Sequence, residues 1–195
     1  MLLDAAIQVL GDRGLRALTH RAVDAGAGVP TGSTTNYFST REALLAAIVE
    51  RFAERERQNF EDLAVTVVPT SPAELGRAWG AFVRDSVGPN RALTLSRYVL
   101  LVESANNPAL REQMAVTGAR VSAWIANWLR VIGSRDPDHH VHVLGNYITG
   151  LVLHQLAIPD PDFDPTDTIV SLLEGLVGER PRPRAGARRR QPVGS

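Results

Sequence analysis

The sequence predicts an all-α protein of about nine helices, and three observations carry that prediction. Apolar residues recur at helical spacing and scarcely ever alternate. Four residues suited to N-capping stand directly before proline: Ser71-Pro72, Asn107-Pro108, Asp136-Pro137 and Asp164-Pro165. The cap side chain can accept from orphan backbone N–H groups, and proline at the first helical position lacks an N–H that would be unpaired anyway. Third, Ser39-Thr40-Arg41-Glu42 and Ser71-Pro72-Ala73-Glu74 both read as capping boxes.

The elements follow in order. A first helix covers about 1–13 and stops near Gly14. Thr19 can cap a short helix at about 19–25, in which Val23 faces inward. Gly28 permits a tight reversal and Val29 can plug the space before a second short helix at about 31–37. The box at Ser39 opens a helix at about 40–63. Ser71-Pro72 opens one at about 72–87, with Leu75, Trp79, Phe82 and Val83 on one face. A helix at about 90–105 carries Tyr98. The helix at about 108–133 places Val121, Trp124, Ile125 and Trp128 on a common face. Another at about 137–157 holds Leu144, Tyr147, Ile148, Leu151 and Val152, with Gly145 and Gly150 as points of close approach. The last, at about 165–177, offers Ile169, Leu172, Leu173, Leu176 and Val177. The division expected is a three-helix unit at 1–49, a larger helical unit at 50–178, and a basic disordered tail at 179–195.

Composition narrows the function. A content of 44% hydrophobic and 22% charged residues is that of an ordinary globular protein. No apolar run approaches the roughly 18–20 residues that span a bilayer, and Met1-Leu2-Leu3-Asp4 does not read as a signal peptide. A cytoplasmic chain that does not engage membranes is expected. With no cysteine there is no disulfide or thiol chemistry. No P-loop, G-x-S-x-G, H-E-x-x-H or paired-carboxylate motif points to an enzyme, and no cofactor is implied. His139-His140-Val141-His142 reads as a solvated helix start and not as a metal site, because His140 and His142 do not share a face. The net charge of zero hides an asymmetry: residues 179–195 carry six Arg and one Glu, so an acidic body is balanced by a basic tail.

The stretch from Thr19 to Phe38 is the most informative. Its second helix is dense in Thr31, Ser33, Thr34, Thr35 and Asn36, residues with poor helix propensity and little apolar surface to bury. Reading a major groove would give such a helix a purpose: Ser and Thr bond base edges or phosphates, Asn pairs with adenine, and a Thr methyl can touch thymine. The competing reading is a plain helical corner in which Ser and Thr serve as turn formers.

Residues 2–52 resemble the N-terminal domain of the tetracycline-repressor (TetR) family. The resemblance rests on Leu3-Asp4-Ala5-Ala6, Gly14, Thr19, Val23, Ala27-Gly28-Val29, Gly32, Tyr37-Phe38 and Arg41-Glu42-Ala43-Leu44-Leu45. It implies a ligand-responsive regulator, in the form of a repressor, that binds a pseudo-palindromic double-stranded operator as a homodimer. The alternative is a helical small-molecule-binding or interaction protein with little DNA binding. The family pattern puts Thr19, His20 and Arg21 largely on phosphate. It puts Thr31, Gly32, Ser33, Thr35, Asn36 and Tyr37 on the groove-facing side of the recognition helix. Arg41 takes the place of a phosphate-contacting lysine. Three departures stand out. Thr35 and Tyr37 occupy positions where the family often has Tyr and His, Asp24 replaces a usual Ala, and the basic arm before the first helix is not seen. Residues 1–49 carry four Arg and four acids, so modest affinity and a shallow salt slope are expected unless the C-terminal arginines also reach DNA.

The resemblance also implies an effector cavity among the C-terminal helices. Trp79, Phe82, Tyr98, Trp124, Trp128, Tyr147 and His154 are the candidate lining, suited to a hydrophobic or aromatic small molecule. The last two helices would form a four-helix dimer interface, since reading two half-sites requires a two-fold dimer.

Overall fold

The structure is a computed structural model that describes residues 1–66 and 68–178, with the side chains of residue 56 and of 59–66 outside the described set. The basic tail expected at 179–195 lies outside the described residues. Among the described residues there is no strand. The helices are α1 (Leu2–Arg13), α2 (His20–Ala27), α3 (Ser33–Tyr37), α4 (Arg41–Thr66), α5 (Pro72–Val87), α6 (Arg91–Ser104), α7 (Pro108–Val131), α8 (Pro137–Ala157) and α9 (Thr166–Gly178), with a 3-10 turn at Leu15–Ala17. No helix among them is long and apolar enough to cross a membrane.

The caps work largely as the sequence suggests. Ser71, Asn107 and Asp136 accept from the amides of Glu74, Leu110 and His139, each with proline opening the helix. The Asp164 carboxylate accepts from the Thr166 amide at 3.0 Å, and α9 starts at Thr166. Two details differ from expectation. Thr40, not Ser39, caps α4 by accepting from the Ala43 amide. Glu74 reaches one residue beyond its cap, taking the Thr70 amide and hydroxyl.

Two apolar cores hold the helices. The first joins Ile7 and Leu10 of α1, Val23 of α2, and Leu44, Ile48 and Phe52 of α4. It does not stop there: Leu93 and Leu100 of α6 and Leu110 of α7 complete it. Gly11 explains how α6 comes so close. A Cβ there would collide with the backbone carbonyl of Ala92, so α1 and α6 pack main chain against main chain. The second core joins α5, α7, α8 and α9 around Trp79, Trp128, Leu144, Ile148, Ile169 and Leu173. Gly76 plays the same part here, since a Cβ would lie 2.9 Å from the Val170 Cα.

The glycines of α8 are not met by any described helix of the same chain. Gly145 and Gly150 face open space within the chain. Ile148, Val152, Ile169 and Leu173 are buried in the chain's own core, whereas Leu153 is exposed and Leu151, Leu172 and Val177 are half-buried. His140 is another correction. It is buried, not solvated, and its Nδ1 shares a 2.8 Å hydrogen bond with the Ser134 hydroxyl.

Candidate nucleic-acid interface and ligand cavity

The helix-turn-helix begins with Thr19, whose hydroxyl accepts from the Ala22 amide at 3.1 Å and starts α2. Gly28 ends α2 in the left-handed conformation (φ 66°, ψ 32°), a region most side chains avoid. Gly32 is left-handed as well (φ 95°) and opens α3 without a capping side chain. The α3 helix has only five residues. Thr34 is its inward residue, with no exposed surface. Thr35, Asn36 and Tyr37 face outward, and Tyr37 is 75% exposed.

The side chains expected on phosphate do not all face outward freely. His20 Nε2 lies 2.7 Å from the Phe38 carbonyl, where its N–H donates to the C-terminal end of α3. Thr19 is occupied with its cap. Arg41 donates to the Leu15 carbonyl at 2.9 Å, which ties the start of α4 to the turn after α1. Arg21 is exposed, and no hydrogen bond or ion pair holds it among the described residues. Ser33 donates its hydroxyl back to the Pro30 carbonyl at 2.6 Å. Thr31 is exposed and Gly32 half-buried.

Asp24 is the residue that sequence reasoning passed over, noted only as a departure from the family pattern. It is buried on α2. One carboxylate oxygen accepts from the Gly32 amide at 2.7 Å, and the other from the Thr34 amide at 2.7 Å and from the Thr34 hydroxyl. The Thr34 hydroxyl bond, helped by the two amides and by nearby His20, holds this carboxyl below its usual range against the opposing effect of burial. The signal that could have found it was the pairing of an acid on one helix with an uncapped glycine at the start of the next.

The seven aromatic candidates divide. Trp79 and Trp128 are buried in the second core, and Phe82, Tyr98, Trp124 and Tyr147 pack against it. Trp79 meets Phe82 edge-on, and the rings of Trp124 and Trp128 are 4.0 Å apart. The Tyr98 hydroxyl donates to the Thr149 carbonyl at 2.6 Å, and burial raises its pKa. His154 is exposed and stands apart from this cluster. A pocket of about 600 Å³ lies elsewhere, between α4 and α7. Of the seven, only Trp124 lines it. Among the described residues its wall also includes Glu50, Ala53, Glu54, Arg57, Gln113, Val116, Thr117, Arg120 and Val121. Large core aromatics are easily mistaken for cavity lining in a sequence, because both occupy the inward face of a helix. Glu54 and Arg57 form a 2.7 Å ion pair that lowers the Glu54 pKa. Gln113 links this pocket to α4, donating its amide to the Ala46 carbonyl at 2.9 Å.

The described residues contain no group of three or more metal-ligating side chains. Known families share both halves of this architecture. A model of bacterial regulatory proteins of the tetR family matches residues 2–48, and a model of the tetracyclin repressor-like C-terminal domain matches residues 70–179. The chain belongs to the tetracycline-repressor family. As a member it is a DNA-binding transcription regulator. Among curated proteins none matches the sequence. Solved structures agree in fold over nearly the whole chain. The multidrug binding protein EbrR complexed with ethidium is 28% identical with a TM-score of 0.67, covering 90% of this chain and 95% of its own. A TetR family member from Streptomyces coelicolor A3 is 25% identical with a TM-score of 0.67, over the same shares. A TetR-family regulator from Rhodococcus sp. superposes with a TM-score of 0.73 over 90% of this chain and 96% of its own, at 23% identity, and speaks for the fold alone.

Proposed function

We propose that the protein is a dimeric, ligand-responsive repressor that reads a pseudo-palindromic operator with α3. The observation that carries this reading is the division of α3: Thr34 turns inward, while Thr35, Asn36 and Tyr37 stand outward with no side-chain hydrogen bond among the described residues. Thr31 and Ser33 flank that face, with Gly32 at its start. Arg21 supplies a phosphate contact beside it, and Arg41 a second through the N–H groups it does not give to Leu15. Asn36 is suited to adenine, and Thr35 to a thymine methyl or a base edge. Domain roles follow the division at about residue 49, with residues 50–178 holding effector and partner subunit. The site of action is the cytoplasm, where the DNA lies. The dimer would use the outer faces of α8 and α9, where Gly145, Gly150 and Gly175 leave room for close helix approach. Light scattering should give a dimer mass, and a monomer would count against this.

The effector site in this reading is the pocket between α4 and α7. Trp124 offers a stacking face, and Glu50 offers a carboxylate with no ion pair among the described residues. A planar aromatic molecule carrying a positive charge suits that wall. EbrR is similar over its length and is complexed with ethidium and with proflavin. Gln113 gives such a ligand a route to the DNA-binding half, since it touches both the pocket and the α4 backbone. An effector that favours one setting of α4 lowers affinity for operator by the same coupling energy that operator imposes on it. Tryptophan fluorescence titration of the DNA-free protein with proflavin tests the site. Quenching that disappears in Trp124→Ala is expected; silence across a panel of planar cations and neutral aromatics would remove the support for this pocket.

A further inference from the structure

We propose that His20 and Asp24 of α2 form a two-point clamp that positions the recognition helix without touching DNA. This rests on the reading that α3 contacts the operator.

Five residues complete little more than one helical turn, and a nucleus that short does not stand alone in water. Its sequence, Ser-Thr-Thr-Asn-Tyr, is of poor propensity. Gly32 at its N-cap brings no side chain to its first amides. The missing cap is supplied from another helix. Asp24 takes the Gly32 and Thr34 amides at 2.7 Å each and the Thr34 hydroxyl as well. One turn earlier on α2, His20 takes the opposite end of α3 through the Phe38 carbonyl at 2.7 Å. Residues four apart share a helix face, so one face of α2 grips both ends of α3. The signs also suit the helix: a carboxylate sits at the N-terminal amides and an imidazole N–H donor at the C-terminal carbonyl.

The clamp has a cost and a consequence. A buried carboxylate needs every partner it has, so α3 has one pose in which the network closes. His20 and Asp24 are thereby withdrawn from DNA. Reading is left to Thr35, Asn36 and Tyr37, whose directions the clamp sets. An ångström of displacement at such a site changes which base edges those side chains reach.

The test pairs hydrogen exchange with DNA selection, using the full chain. Duplexes are selected from a random-sequence pool with the wild-type protein, and a scrambled duplex serves as the control. In Asp24→Ala, held well below its melting temperature, the Gly32 and Thr34 amides should exchange at least tenfold faster while amides of α5 and α8 do not change. Affinity for the selected duplex should fall about tenfold or more, and affinity for the scrambled duplex should stay within twofold. His20→Ala should lose several-fold in specific binding, and His20→Gln, which keeps a donor for the Phe38 carbonyl, should recover most of it. A purely structural role predicts that specific and non-specific binding fall together, and that result would overturn the clamp. Unchanged exchange at Gly32 and Thr34 would overturn it too. If the wild type selects no duplex, the operator-reading proposal fails, and the exchange experiment still decides whether the clamp exists.

Discussion

Both halves of the molecule have an apolar core, but the helix-turn-helix adds directional polar bonds to its own. In the helix-turn-helix, named polar bonds fix the geometry: Asp24 and His20 hold α3, Thr19 starts α2, and Arg41 ties α4 to Leu15. In the C-terminal half, an aromatic and aliphatic core around Trp79, Trp128 and Leu173 does the holding. Polar bonds are directional and set a pose, whereas apolar burial is roughly proportional to area and tolerates many poses. A reader of DNA needs the first property. A family of domains that accommodates different small molecules can live with the second.

Substitutions in the two halves should therefore have different effects. The largest effect is expected from Trp128→Ala, which empties the centre of the second core. A stability loss of about 3–5 kcal/mol should appear in urea denaturation, and the first core should persist longer than the second. Gly11→Ala comes next. Its new methyl group meets the Ala92 carbonyl, so α1 must part from α6 at a cost of about 1–3 kcal/mol. Because α6 completes the N-terminal core, this variant should also weaken operator binding although no DNA-facing side chain has changed. Asn36→Ala and Tyr37→Ala should do the reverse. Each is expected to cost about 1–3 kcal/mol in operator affinity while shifting the unfolding midpoint within error, since both side chains are exposed.

The smallest effect concerns pH. Asp24 has a folded pKa below its ordinary 3.8, so its contribution is present above that value and is lost as pH falls through the lowered one. The order of α3, followed by the exchange of its amides or the Tyr37 signal in NMR, should decay below about pH 3.8 in the wild type. In Asp24→Asn that acid limb should be missing.

The sequence disclosed the helices better than the sites. Caps are local, so Ser71, Asn107 and Asp136 announced their helices within a residue or two of the start. The outward and inward residues of α3 were less legible. Thr34 and Thr35 are chemically alike, and the position of Asp24, ten residues before Thr34, decides which of them is buried. Trp124 and Trp128 pose the same problem on α7: they share a face, yet one borders the pocket and the other fills the core. Which of them meets a ligand depends on where α4 lies, a fact of tertiary packing. The N-terminal segment is neutral by count, but Asp24 is buried in its hydrogen bonds and Asp4 is paired with Arg51. The surface that would face DNA is therefore less acidic than the count suggests, and the salt dependence should be steeper than net charge alone implies.

In the proposed complex, α3 of each of two subunits reads one half-site. Selection of duplexes from a random-sequence pool tests it most directly. The enriched sequences should contain a pseudo-palindrome whose half-sites are spaced to suit two recognition helices about 34 Å apart, and the enrichment should vanish in the Asn36→Ala/Tyr37→Ala double variant. Enrichment of nothing, or of a motif that the double variant selects equally well, would contradict the account.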